Sequence, residues 1–189
     1  MVSKMTAIKE LELIRGANLT LRLIKPNDAA FVYGLRTNPL YNKHLSAVRG
    51  TVEDQRRWIE AYKDREAERS EFYYVIERKD GAPCGVVRLY DMDADSFTWG
   101  SWILDENKPP KAALESAVLI YEIAFDLLDL ESARFDVRRD NENTLAFHRR
   151  FGAIETHQTQ ADIFFTYSRS RYQSDRDGYI TLLRAGQVL

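Results

Sequence analysis

Residues 99–125 read WGSWILDENKPPKAALESAVLIYEIAF, an aromatic and apolar stretch, a short connection holding two prolines, and a long apolar run. From Ser96 to Leu104 the chain is rich in aromatic and apolar residues and contains Gly100, which predicts a strand; a glycine inside a strand often marks a bulge or a close backbone approach. Beyond the prolines, apolar residues fall at positions 113, 114, 117, 118, 120, 121, 124, 125, 127 and 128. That stripe is too broad for a surface helix, so a largely buried helix is predicted. A buried helix entered from a strand through a short connection aims its unpaired N–H groups and its positive dipole end at one place, and such a place attracts anions.

The flanking chain arranges itself around this unit. Leu19–Leu23 alternates as a strand and ends at Lys25-Pro26, after which Asn27 is predicted to cap a helix running through Leu35. Thr51 with Asp54 three residues later has the form of a capping box and predicts a helix to about Glu68. Phe72–Glu77, the turn Lys79-Asp80-Gly81 and Cys84–Tyr90 form a predicted hairpin, and with 96–104 they give three antiparallel neighbours. Ala133–Val137 is a short strand expected to run parallel to the central one; Asn141-Glu142-Asn143 precedes a helix of about two and a half turns that runs to Phe151 and is stopped by Gly152. Ile154–Gln160 and Ile163–Ser168 form a terminal hairpin, and the Arg-, Tyr-, Ser- and Asp-rich stretch 169–178 is expected on the surface. The fold class is α/β (α+β): a mixed, mostly antiparallel central sheet with helices on both faces. One domain is expected over 1–189, with its core at about 19–168 and a C-terminal surface segment at 169–189.

Composition narrows the function. A net charge of −2 gives no general attraction to nucleic acid or membrane surfaces, so neither is expected as a partner. The single cysteine, Cys84, supports neither a disulfide framework nor a multi-cysteine metal site, and no metal is expected. With no apolar leader and no long apolar run, a cytoplasmic location is expected.

Two local patterns carry a family resemblance. Lys108-Pro109-Pro110-Lys111-Ala112-Ala113 is similar to the pyrophosphate loop (Gln/Arg)-x-x-Gly-x-(Gly/Ala), with lysine at the cation position and Lys111 where the middle glycine would stand. Asn141-Glu142-Asn143-Thr144-Leu145-Ala146-Phe147-His148-Arg149-Arg150-Phe151-Gly152-Ala153 resembles Asn-x-x-Ser-x-x-x-Tyr-x-x-x-Gly-Phe. Together with the element order, these resemble the GNAT superfamily of acetyl-CoA-dependent N-acetyltransferases over about Leu19 to Ser168. The resemblance implies acetyl-CoA as donor, a bulged strand that meets the acyl carbonyl near Trp102, Ile103 or Leu104, and a pyrophosphate held by Lys108, Lys111 and the amides of Lys111, Ala112, Ala113 and Leu114. It implies Asn141 against the pantetheine arm. His148 stands where the family's tyrosine protonates the departing thiolate, a role an imidazolium can fill. No general base is assigned; Asp93, Asp95 and Glu77 are the candidate carboxylates.

For the acceptor, Tyr41, Trp58, Tyr73, Tyr74, Trp99 and Trp102 are the aromatic residues expected around the cleft, with Tyr41, Tyr74 and Trp99 foremost. Arg36, Lys43, Arg49, Arg56 and Arg88 are available for phosphates. The resemblance implies a primary amine as acceptor, either the amino group of a nucleotide-linked amino-sugar or a peptide N-terminus of the ribosomal-protein type. A GNAT-like module that no longer catalyses is the reading of a different class, motivated by the missing glycine, the Pro-Pro and the missing tyrosine. Edge strands and the terminal hairpin leave room for a homodimer.

Overall fold

In the computed structural model, residues 8–185 are described. Among them run α1 (Ile8–Leu11), β1 (Leu13–Arg15), β2 (Leu19–Leu23), α2 (Ala29–Thr37), α3 (Val52–Ala67), β3 (Phe72–Arg78), β4 (Pro83–Tyr90), β5 (Ser96–Leu104), α4 (Ala112–Tyr121), β6 (Ser132–Arg138), α5 (Glu142–Arg150), β7 (Ile154–Gln158), β8 (Asp162–Ser168) and α6 (Arg169–Arg184). The eight strands form one sheet in the order β1-β2-β3-β4-β5-β6-β8-β7. Every pairing is antiparallel except β5 with β6.

Both faces of the sheet are covered. Phe72, Tyr74 and Ile76 of β3 join a cluster with Val118, Tyr121 and Phe125 of the central helix, whereas Tyr73 and Val75 join Val32, Leu35, Ile59 and Tyr62 of α2 and α3 on the opposite face. The two-residue period of a strand divides these aromatic neighbours between two cores. α4 passes into a π-helical turn at Glu122–Leu127, and Ala112 through Tyr121 bury all but Ala113 and Leu114. None of the described helices is long and apolar enough to cross a membrane.

Local sequence explains most boundaries. Thr51 accepts from Asp54 N at 3.3 Å while Asp54 accepts from Thr51 N at 2.8 Å, the reciprocal pair that starts α3. Gly152, at φ +90°, ends α5 in a conformation that costs a glycine little. The helix expected from Asn27 instead begins with a 3-10 turn at Pro26–Asp28, because Asp28 accepts the Lys25 N–H at 2.7 Å and takes over the capping.

The stretch 169–178, expected on the surface, forms most of α6. Tyr172 is fully buried and Tyr179 nearly so; Tyr179 Oη donates to Phe151 O at 2.6 Å and lies 3.0 Å from Tyr167 Oη. The core therefore reaches past Ser168, and in the other direction to the buried Leu11 and Ile14 of α1 and β1.

The feature that positions a site is where the parallel pairing stops. β5 and β6 pair only at Ser96↔Ser132 and Phe97↔Ala133, after which the two strands diverge in the middle of the sheet.

Candidate functional site

The divergence opens beside an irregularity in β5. Val86 pairs with Ile103 and Arg88 with Gly100, so Ser101 and Trp102 together oppose the single Val87. A two-against-one count is a β-bulge, and it leaves backbone groups outside the ladder. Ser101 takes φ +47°, a left-handed conformation that a non-glycine residue holds only under strain, as often happens at functional sites. The bulge expected at Gly100 thus lies one residue on.

A cleft of about 350 Å3 fills the opening. Its walls are Trp99, Gly100, Ser101 and Trp102 from β5, Phe135 to Arg138 from β6, Asn141, Thr144 and His148 from the α5 segment, and Arg36, His44, Leu45 and Ser46 from α2 and the loop after it. His44 Nδ1 lies 3.1 Å from Asp140 Oδ1, joining that loop to the turn before α5.

His148 is only 4% exposed and its ring is surrounded by aromatic residues, with centroids at 4.4 Å to Phe135, 5.3 Å to Trp99 and 5.4 Å to Phe147. Its Nδ1 is buried without a hydrogen-bond partner among the described residues. Burial pushes the imidazole down to about 3, because the ring's cationic form loses its hydration there. The imidazolium expected from the sequence is therefore corrected to a neutral ring at neutral pH, which retains one N–H to donate.

Asn141 lines the cleft, but its side-chain carbonyl accepts from Thr144 N at 3.3 Å as the cap of α5. Trp102 Nε1 donates to Ser116 Oγ at 3.1 Å and its ring lies 5.1 Å from Phe147, so it spans from the bulge to α4 and α5. Ile103 and Leu104 pair with β4 again beyond the bulge; Ile103 is buried beneath α2 and α3, and Leu104 packs against the opposite core.

The mouth of α4 lies apart from the cleft walls. Lys111 caps the helix with φ +62° and ψ 11°, the left-handed conformation that explains the glycine of the family pattern at this position. Its Nζ donates to Leu182 O at 2.5 Å, and Lys108 Nζ donates to Asp105 O at 3.1 Å. Each ammonium keeps two further donors. Ala112 N is used on Pro109 O at 3.2 Å, while Ala113 and Leu114 occupy the next two positions of the first turn, where N–H groups lack helical partners. The only acidic residue of that turn, Glu115, is turned inward to accept from Asn18 N at 2.7 Å and Leu19 N at 3.0 Å. The Glu115 carboxylate is thus turned away from the mouth.

Of the aromatic residues expected around the acceptor, Trp99 and Trp102 line the cleft. Tyr74 does not: it is fully buried in the core on the α4 face. Tyr41 packs with α2 and α3, its Oη accepting from Glu106 N at 3.2 Å, and it lies outside the cleft walls. Of the carboxylates named from sequence, Glu77 pairs with Arg22 at 2.6 Å and Asp93 accepts from the Asp95 and Ser96 amides at 3.0 and 2.7 Å. Sequence reasoning missed Ser46, His44, Ser101 and Asp136. Asp136 lines the cleft, and burial, then the neighbouring Asp162, raises its carboxyl above the usual range. Its only signal was its place between Phe135 and Val137 on an alternating strand. Among the described residues no group of three or more His, Cys, Asp or Glu is placed to hold a metal ion.

A family model for the acetyltransferase (GNAT) domain matches residues 18–154. The solved structure of apo FdhC, a nucleotide-linked sugar GNAT, is similar at TM-score 0.83 and 37% identity, covering 89% of this chain and 96% of that one. Spermidine N-acetyltransferase from Vibrio cholerae, in complex with CoA and spermine, shares the fold at TM-score 0.73 and 17% identity over 84% of this chain and 99% of that one. The SPbeta prophage-derived uncharacterized N-acetyltransferase YokL of Bacillus subtilis (strain 168) is 23% identical over 151 residues, 79% of this chain and 83% of that protein.

Proposed function

The chain belongs to the GNAT acetyltransferase family, and from that premise we propose that it transfers an acetyl group from acetyl-CoA to the amino group of a nucleotide-linked amino-sugar. The observation that carries the reading is the cleft at the β5–β6 divergence, which pairs a strained bulge with a cationic, aromatic acceptor side. The nucleotide-sugar acceptor is further supported by the 37% identity to a nucleotide-linked sugar GNAT.

Acetyl-CoA supplies an activated thioester; the acceptor ammonium first gives a proton to water, the neutral amine nitrogen forms the new C–N bond, the C–S bond breaks, and the departing thiolate takes up, through solvent, the proton that the nitrogen sheds. The residues of this chain fit that need in distinct ways. Backbone groups of Ser101 and Trp102, freed from the ladder by the bulge, are available to the acyl carbonyl, where fixed donors stabilise developing negative charge. Lys108, Lys111 and the Ala113 and Leu114 amides form the anion-attracting mouth for the pyrophosphate. Asn141 borders the acyl arm. His148 acts as a neutral hydrogen-bond donor toward the thioester rather than as an acid, and Asp136 attracts the acceptor ammonium.

A free-thiol assay of a panel of amines tests this: nucleotide-linked amino-sugars, free amino-sugars, spermidine and ribosomal-protein N-terminal peptides. Saturable thiol release with a nucleotide-linked amino-sugar is expected. Release with the peptides alone would replace the acceptor assignment, and release with none would favour a non-catalytic module.

A further inference from the structure

Five cations were available for an acceptor phosphate, and their placements differ sharply. Arg88 is paired to the buried Glu71 and covers the Trp58 and Tyr90 rings. Arg56 pairs with Glu53 and donates to Asn27 at 3.2 Å. Lys43 lines neither the main cleft nor the smaller one beside it. Arg36 lines both. It rises from the last turn of α2 and donates to Ser46 Oγ at 2.9 Å, with no carboxylate within ion-pair distance among the described residues. Its Nε is buried on the side of the equally buried Tyr73 hydroxyl, which leaves the terminal nitrogens to meet a ligand in the cavities. A guanidinium that lines two cavities and has no carboxylate partner favours an anionic ligand there.

The smaller cleft, about 340 Å3, is walled by Ala47, Val48 and Arg49 of the loop and by Asp54, Gln55 and Trp58 of α3. Arg36 therefore stands at the boundary between the acyl-transfer cleft and a second cavity. We propose that Arg36 is the specificity-determining residue for the acceptor: it holds a phosphate of the nucleotide-linked amino-sugar at this boundary, with the amino-sugar in the main cleft and the nucleoside in the smaller one beside Arg49 and Trp58. This rests on the nucleotide-sugar reading and assigns the part of the site that distinguishes such an acceptor from a plain amine. A planar guanidinium suits the role because it can give two parallel hydrogen bonds to one phosphate, which a lysine at the same place cannot.

The test compares wild type, R36Q and R36K in three measurements: steady-state rates with a nucleotide-linked amino-sugar, rates with the free amino-sugar, and calorimetric binding of uridine and thymidine diphosphates. Thermal melting checks that each variant is folded. R36Q is expected to raise the KM for the nucleotide-linked acceptor about tenfold or more and to weaken nucleoside diphosphate binding equally, a loss clearly larger than the one seen with the free amino-sugar. R36K should recover only part of the loss. If wild type acetylates nucleotide-linked amino-sugars and the variants do so with unchanged KM, the Arg36 assignment is wrong while the acceptor reading stands. If wild type neither binds nucleoside diphosphates nor prefers the nucleotide-linked form, both are wrong.

Discussion

Trp102 and Ser116 are joined by a 3.1 Å hydrogen bond from the indole Nε1 to a fully buried hydroxyl, which itself donates to Ala113 O at 3.2 Å. This contact ties the bulged end of β5 to the first turns of α4, the two elements between which the acyl donor must lie. Ser116→Ala strands the indole N–H, and the stability loss should be about 1–2 kcal/mol. Trp102→Phe removes the same bond, so the double variant should lose less than the sum of the two singles in urea titrations. Full additivity would show that the bond carries no coupling.

His148 makes stability depend on pH. Its folded value, about 3, lies below the ordinary 6.5, so the neutral ring is favoured in the folded state. The stabilisation is fully present above pH 6.5 and is lost as pH falls from 6.5 toward 3, because the unfolded chain takes up the proton first. His148→Phe, which keeps an aromatic ring in the aromatic cage, should remove this dependence. Relative to the variant, wild type should lose about 1.4 kcal/mol per pH unit across that range. The variant should also turn over more slowly with the KM for acetyl-CoA nearly unchanged, and neither protein should show a rate transition near pH 6.5 from this ring.

Much of the fold was legible because its signals are local. The Thr51–Asp54 capping box, Gly152 at a helix end and the breadth of the apolar stripe on α4 each fix structure within a few residues. What was not legible depends on distant partners. Tyr73 and Tyr74 look alike in sequence, yet strand alternation sends one under α3 and the other under α4, and with both faces of the sheet covered nothing in the sequence marks which side borders the cleft. α6 was hidden by its polar composition, since only Tyr172, Tyr179 and Leu183 form its buried face. The burial of His148 is produced by rings from β5, β6, β8 and its own helix, so its spacing from Asn141 gave its position but not its charge.

Lys111 offers a direct view of why the family pattern has a glycine. At φ +62° the lysine is strained, and both Lys111→Ala and Lys111→Gly lose the bond to Leu182 O. Only glycine also relieves the backbone, so Lys111→Gly should be more stable than Lys111→Ala by about 1 kcal/mol in thermal melts. Equal stability would mean that the turn relaxes in the alanine variant.

Glu115 fastens the β1–β2 hairpin to α4. Removing its carboxylate leaves the Asn18 and Leu19 amides without this acceptor, so Glu115→Ala should cost about 3 kcal/mol and lower the urea midpoint with little change in slope.

The central claim is that the divergence of β5 from β6, with the bulge at Ser101 and the open mouth of α4, forms an acyl-CoA site. The most direct measurement is the melting temperature of the wild-type protein against acetyl-CoA concentration. A ligand that binds only the folded chain stabilises it by about 2.7 kcal/mol at one hundred times its dissociation constant, so the melting temperature should climb steadily with the logarithm of concentration. An unchanged melting temperature at millimolar acetyl-CoA would contradict the account.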